Sequence, residues 1–125
     1  MQNPNFSGYF SNSDAKVEVT VSIFQFEENG ITILYSPALD LSGYCQSLEE
    51  AKKSFETTIG EFFNYTIHKK TLAKELRRLG WSVKAKARKL KTPGLTDLIK
   101  KHDYLVEILN EKQFTKFDHK VSVPC

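Results

Sequence analysis

Apolar and polar residues alternate from Val17 to Phe26. Val17, Val19, Val21 and Ile23 stand between Glu18, Thr20 and Ser22. All four apolar residues are β-branched, which predicts a half-buried strand, because successive side chains on a pleated backbone point to opposite faces. Glu27-Glu28-Asn29-Gly30 follows, and Asn-Gly is a strong hairpin signal since both residues tolerate positive φ. Ile31 to Tyr35 reads as the returning antiparallel strand. Ser36 to Gly43 holds Pro37 and Gly43, so a loop is expected there, leading into a short third strand near Tyr44.

The period then changes from two to between three and four. Ser47-Leu48-Glu49-Glu50 has the form of a capping box, in which Ser47 accepts from the amide of Glu50 and the carboxylate reaches back. Leu48, Ala51, Phe55, Ile59, Phe62, Phe63 and Ile67 follow as one wide apolar face, predicting a helix long enough to lie across a small sheet. Gly60 within it costs about 1 kcal/mol relative to Ala, and close packing is the expected reason for its presence. A second helix is expected over Leu72 to Leu79, with Thr71 as cap and Gly80 as stop. Its Leu72, Leu76 and Leu79 would face inward and its Lys74, Arg77 and Arg78 would face water.

Trp81, Val83, Ala85 and Ala87 alternate with Ser82, Lys84, Lys86 and Arg88, the pattern of a strand with one basic face. Thr92-Pro93-Gly94 marks a turn or helix entry. Leu95, Leu98, Ile99, Leu105, Val106 and Leu109 fit a helical face, in one helix or in two separated near His102-Asp103. Phe117, His119, Val121 and Val123 alternate again as a last strand ended by Pro124. The expected order is β-β-β-α-α-β-α-β. The fold class is α+β, with a mostly antiparallel sheet of four or five strands packed on the long helix and shorter C-terminal helices appended.

At 125 residues the chain is expected to form a single domain with one real core, needing no metal, cofactor or disulfide to hold it. Residues 1–14, rich in Asn, Ser and Gly, read as a flexible arm. Residues 15–68 hold the strands and long helix, and 69–125 hold a basic segment, a helix and the last strand. The arm lacks the basic start and apolar stretch of a secretion signal, and no apolar run is long enough to span a bilayer. Cys45 and Cys125 are too few for a disulfide framework, which favours a reduced, cytoplasmic setting.

Charge changes the picture more than composition does. Residues 1–68 carry three Lys/Arg and nine Asp/Glu, whereas 69–91 carry ten Lys/Arg against Glu75 alone, and 92–125 balance. Such asymmetry is a partner signal. Lys69, Lys70, Lys74, Arg77, Arg78, Lys84, Lys86, Arg88, Lys89 and Lys91 are accordingly candidate nucleic-acid contacts, with Trp81 among them able to stack on a base. Two plainer readings stand beside this one. The charges can be the solvated face of a short helix, with Trp81 in the core, or they can dock on the acidic half of a second copy in a homo-oligomer.

The stretch from Val17 to about Phe63 resembles the HicB family of antitoxins. The likeness lies in Tyr35-Ser36-Pro37-Ala38-Leu39 ending the hairpin, then Gly43-Tyr44-Cys45, then Ser47-Leu48-Glu49-Glu50-Ala51 opening the helix, in that order. Cys45-Gln46 stands where the family often has Gly-Asp. From Leu72 onward neither a helix-turn-helix nor a ribbon-helix-helix, the usual DNA-binding tails, can be read. The resemblance implies a partly trimmed RNase H-like fold without catalytic carboxylates. It also implies a self-associating protein that masks a small HicA-type RNA-cleaving toxin.

The loop around Pro37 offers Tyr35, Pro37, Leu39, Leu41 and Tyr44 as candidate partner contacts, although Leu39 and Leu41 can equally plug one end of the core. Catalysis finds little footing. Glu49 and Glu50 are adjacent on a helix and point apart, and Cys45 has no identifiable base. His68, His102 and His119 lack metal-ligand spacing. Leu72 to Lys86 faintly resembles the opening of a HicA-type toxin, but residues 87–97 lack the histidine that toxin needs. Three classes therefore remain: a masking antitoxin, a nucleic-acid-binding module, and an oligomer-forming structural protein, none of them an enzyme.

Overall fold

The alternating segment forms β1 (Lys16–Glu28), the longest strand of a computed structural model in which residues 16–84 and 89–124 are described. Asn29 and Gly30 both take positive φ, 53° and 78°, and turn the chain directly into β2 (Ile31–Ser36). A short turn leads to β3 (Leu41–Cys45). The last strand, β6 (Thr115–Pro124), returns to the other side of β1, giving a four-stranded sheet in the order β3-β2-β1-β6 with every neighbouring pair antiparallel. β1 is shared unequally. Phe24 to Glu28 pair with β2, while Lys16 to Gln25 pair with β6.

Register sorts the side chains into two faces. Val21, Ile23 and Leu34 share one face with Phe117, His119 and Gly43, and Phe24, Phe26, Ile33 and Tyr35 share the other. The first face receives α1 (Leu48–His68), through Ala51, Phe55, Ile59, Phe63 and Thr66. The Phe55 ring meets His119 edge-on at 6.2 Å, and Lys52 Nζ sits 6.0 Å from the Phe117 ring centre. Ser47 caps the helix, its hydroxyl accepting from the Glu50 amide at 3.2 Å, but the Glu50 carboxylate accepts from the Ser47 hydroxyl at 3.1 Å and not from its amide, as a full capping box would. Leu48 and Ile67, expected on the apolar face, lie partly exposed at the two ends, at 37% and 44%.

Gly43 sets how near β3 comes to α1. A Cβ on Gly43 would lie 2.4 Å from the Phe55 backbone, so the approach is open only to glycine. Gly60 corrects the sequence expectation. It is exposed, and nothing lies within 4 Å of where its Cβ would be, so close packing is not its reason.

The second face of the sheet receives α4 (Asp103–Glu111). Tyr104 meets Phe26 and Tyr35 edge-on, at 6.2 and 5.0 Å, and Phe114 leans on Phe24 at 5.5 Å. α3 (Leu95–Lys101) precedes α4, and extended His102 (φ −120°, ψ 107°) separates them, so the apolar run forms two helices.

α2 (Leu72–Arg78) is entered and left through matching caps. Lys70 (φ 58°) and Gly80 (φ 98°) adopt left-handed conformations. Thr71 N donates to Thr66 O, and Trp81 N donates to Leu76 O, the six-to-one bond of a Schellman cap in both cases. Thr71 itself makes no side-chain cap bond to α2; its hydroxyl lies 3.5 Å from Thr66 O.

The strand expected from Trp81 to Arg88 is shorter. β4 (Ser82–Lys84) pairs antiparallel with β5 (Lys89–Lys91) in a separate two-stranded sheet, Val83 opposite Leu90. Each strand alternates, with half-buried Val83 and Leu90 between exposed residues. Ala85, Lys86, Ala87 and Arg88 lie outside the described residues.

Candidate macromolecule-binding surfaces

The turn between β2 and β3 is held from inside. Pro37, Ala38 and Leu39 are buried, and Trp81 Nε1 donates to the Ala38 carbonyl at 2.8 Å. The Tyr35 hydroxyl donates to Asp40 Oδ1 at 2.9 Å. Burial pushes the Tyr35 pKa far above its ordinary value, and the hydrogen bond and charge of Asp40 push it the same way. Asp40 takes positive φ (54°) to close the turn, and His102 Nδ1 lies 3.8 Å from its carboxylate.

Three of the five residues expected to meet a partner, Tyr35, Pro37 and Leu39, are therefore core residues whose side chains do not reach the surface. The turn is too short to carry so many apolar groups outward, and Trp81 seals it. Leu41 is half-buried. Tyr44 alone of the five stands out, at 65% exposure, on β3 at one edge of the sheet. Leu48 and the exposed carboxylates of Glu49 and Glu50 follow on the first turn of α1.

The basic segment behaves in the opposite way. Lys69, Lys70, Lys74, Arg77, Arg78, Lys84, Lys89 and Lys91 are all exposed, while Lys86 and Arg88 fall outside the described residues. Arg77 donates to the Val83 carbonyl at 3.0 Å and so ties α2 to β4. Arg78 pairs with Glu75 at 2.9 Å, which offsets part of its charge.

Trp81 is 4% exposed and is no stacking platform. The exposed aromatic beside the cations is Tyr65, 64% exposed, with Lys69 Nζ 6.0 Å from its ring centre. Tyr65, Lys69 and Arg78 border one groove of about 600 Å³, floored by Leu41 and Phe62 and shared with the carboxylates of Asp40 and Glu75.

Sequence reasoning also missed two cations. Lys100 and Lys101 belong to a charge-balanced segment, yet α3 brings both to a cleft with Gly80 and Pro93, and Lys101 Nζ donates to the Arg78 carbonyl. A helix C-terminus favours such a cation. Nothing in local spacing announces a contact that the tertiary fold makes.

Cys45 is half-buried and free. Among the described residues no three His, Cys, Asp or Glu side chains gather as a metal site would need, and no helix is long and apolar enough to cross a membrane. No family model, curated protein or solved structure matches the chain.

Proposed function

We propose that the protein is a HicB-like antitoxin, or an orphan relative of one, that binds and masks a small RNA-cleaving toxin of the HicA type without catalysing a reaction. The observation that carries this reading is the continuity of the residues behind the resemblance. Tyr35 to Ala51 make one unit of strand, sealed turn, edge strand and capped helix start, closed where Gly43 meets Phe55.

Charge supports the same reading. An enzyme that cleaves RNA holds a polyanion and so presents a cationic working surface. The β3 edge offers such a surface exposed Tyr44 as an anchor, with Asp40, Glu49 and Glu50 nearby in the chain. Lys52 and Lys53 come one turn later, and Glu56 and Glu61 follow further along α1.

The test is an RNA-cleavage assay with a purified HicA-type toxin. The wild-type chain is expected to abolish cleavage near equimolar ratio. A Tyr44→Ala/Glu49→Lys variant is expected to weaken inhibition roughly 30-fold or more, the scale of an interface anchor. Undiminished cleavage in excess wild-type protein would sink the reading.

A second reading, nucleic-acid binding through α2 and the β4–β5 hairpin, is favoured by the exposure of every described cation from Lys69 to Lys91. Its mark is affinity for RNA or duplex DNA that falls steeply with salt and is lost in Arg77→Glu/Arg78→Glu/Lys84→Glu. Absence of binding at low salt removes it.

A further inference from the structure

β6 is an outer strand of the four-stranded sheet, and its pairing with β1 runs without a bulge from Lys16–Pro124 to Gln25–Thr115. Between Lys116 and Ser122 this outer edge has no strand partner among the described residues, and it contains no proline. A long, regular edge of that kind is a template for another strand unless something blunts it. Lysines are the usual blunting device, and Lys116 and Lys120 are present. Asp118 sits between them on the same face. A Lys-x-Asp-x-Lys row repels a reversed copy of itself in exact register but complements one offset by two residues.

We propose that the Lys116–Ser122 stretch of β6 is a homodimer interface, in which a second copy of this chain adds the same stretch antiparallel to the first and joins two four-stranded sheets into one. The charge pattern favours one register. With the two-fold axis at His119, Asp118 stands opposite Lys120 of the second copy twice over, Phe117 opposite Val121, and Lys116 opposite Ser122. With the axis at residue 118, Lys116 faces Lys120 and Asp118 faces itself. With the axis at residue 120, Lys120 faces itself. With the axis at residue 117, Asp118 meets Lys116, but the overlap shrinks to the five residues from Thr115 to His119. Opposite charges and aromatic–β-branched pairs stabilise directly opposed positions, and like charges destabilise them.

The other face of the same edge agrees. Phe117 and His119 form the wall of a groove of about 310 Å³ against Phe55, with Lys52 and Glu56 at its rim. Pairing at the His119 axis lays the second copy's β6 alongside Phe117 and covers that partly exposed ring, while Val121 opposite it is already buried within its own copy. α1 contributes one charge of each sign there, so it raises no like-charge barrier. This interface lies on the opposite edge of the sheet from β3 and stands or falls independently of the antitoxin reading.

The test is sedimentation equilibrium on the full chain, from low to high micromolar concentration, with far-UV circular dichroism to confirm folding. The wild type is expected to be dimeric. Asp118→Lys and Lys120→Asp, both at exposed positions, are each expected to weaken the dimer roughly tenfold to a hundredfold. Mixing the two variants sets a pair of lysines on one copy against a pair of aspartates on the other at the His119 axis, so a heterodimer is expected. A monomeric wild type at every concentration, or a dimer indifferent to both substitutions, overturns the proposal. Weakened single variants that fail to pair when mixed overturn the His119 register.

Discussion

The β2–β3 turn and the α2–hairpin segment carried the two sets of candidate binding residues, and the structure treats them in opposite ways. In the turn, apolar side chains follow one another from Pro37 to Leu39 and are buried under Trp81. From Lys69 to Lys91 every described cation lies in water. A short apolar turn on a small sheet minimises free energy by folding under, whereas Lys and Arg are rarely buried unpaired. Trp81 belongs by sequence to the basic segment and by contact to the turn. It is the fastener between the two regions.

Substitutions can break that contrast or sharpen it. Trp81→Ala is expected to lower stability most, by about 3–5 kcal/mol, because it opens a cavity and orphans the Ala38 carbonyl; urea denaturation measures it. Gly43→Ala is expected to cost about 1–3 kcal/mol, since the new Cβ meets helix backbone that cannot rotate aside.

Alkaline pH probes the buried phenol. Tyr35 is neutral in the fold, with its pKa raised above the unfolded value. Its contribution is therefore complete below the ordinary 10.0 and is lost as pH rises through the folded value. Stability is expected to fall by about 1.4 kcal/mol per pH unit above about pH 10 from this group, and Tyr35→Phe should remove that slope in denaturation curves between about pH 9 and 11.

Two smaller effects lie on exposed positions. Gly60→Ala is expected to raise stability by about 0.5–1 kcal/mol, since open space receives the methyl and the helix gains propensity. Arg77→Glu/Arg78→Glu/Lys84→Glu is expected to cost about 1 kcal/mol, from the exposed Arg77–Val83 and Arg78–Glu75 contacts it removes, read from the thermal midpoint. A large loss there would mean that the basic segment is held as firmly as the turn.

The fold was legible where periodicity is local. The β1 alternation, the Asn-Gly turn and the acceptance of the Glu50 amide by Ser47 each depend on neighbours in sequence, and each forms as read. The α+β class and the antiparallel sheet followed from them. β5 was not legible, because Lys89-Leu90-Lys91 is too short to show a period and becomes a strand by pairing with β4. The surface was harder than the fold. Tyr35, Pro37 and Leu39 have the composition of an anchor and the burial of a core, and only the position of Trp81 separates the two. Tyr65 was missed because it lies one step off the apolar face of α1, where spacing alone gives an aromatic no role.

The unequal sharing of β1 has a consequence for how the chain reaches this structure. The hairpin to β2 closes over two residues, while the nearest pairing with β6 joins Gln25 to Thr115. The first step is local and fast. The second must close a loop that holds α1 to α4 before any ladder bond repays the lost chain entropy. Refolding in stopped-flow is accordingly expected to be set by this long-range closure, and to be slower than for a helical bundle of similar length. Until it occurs, the valines of β1 wait without their partner strand.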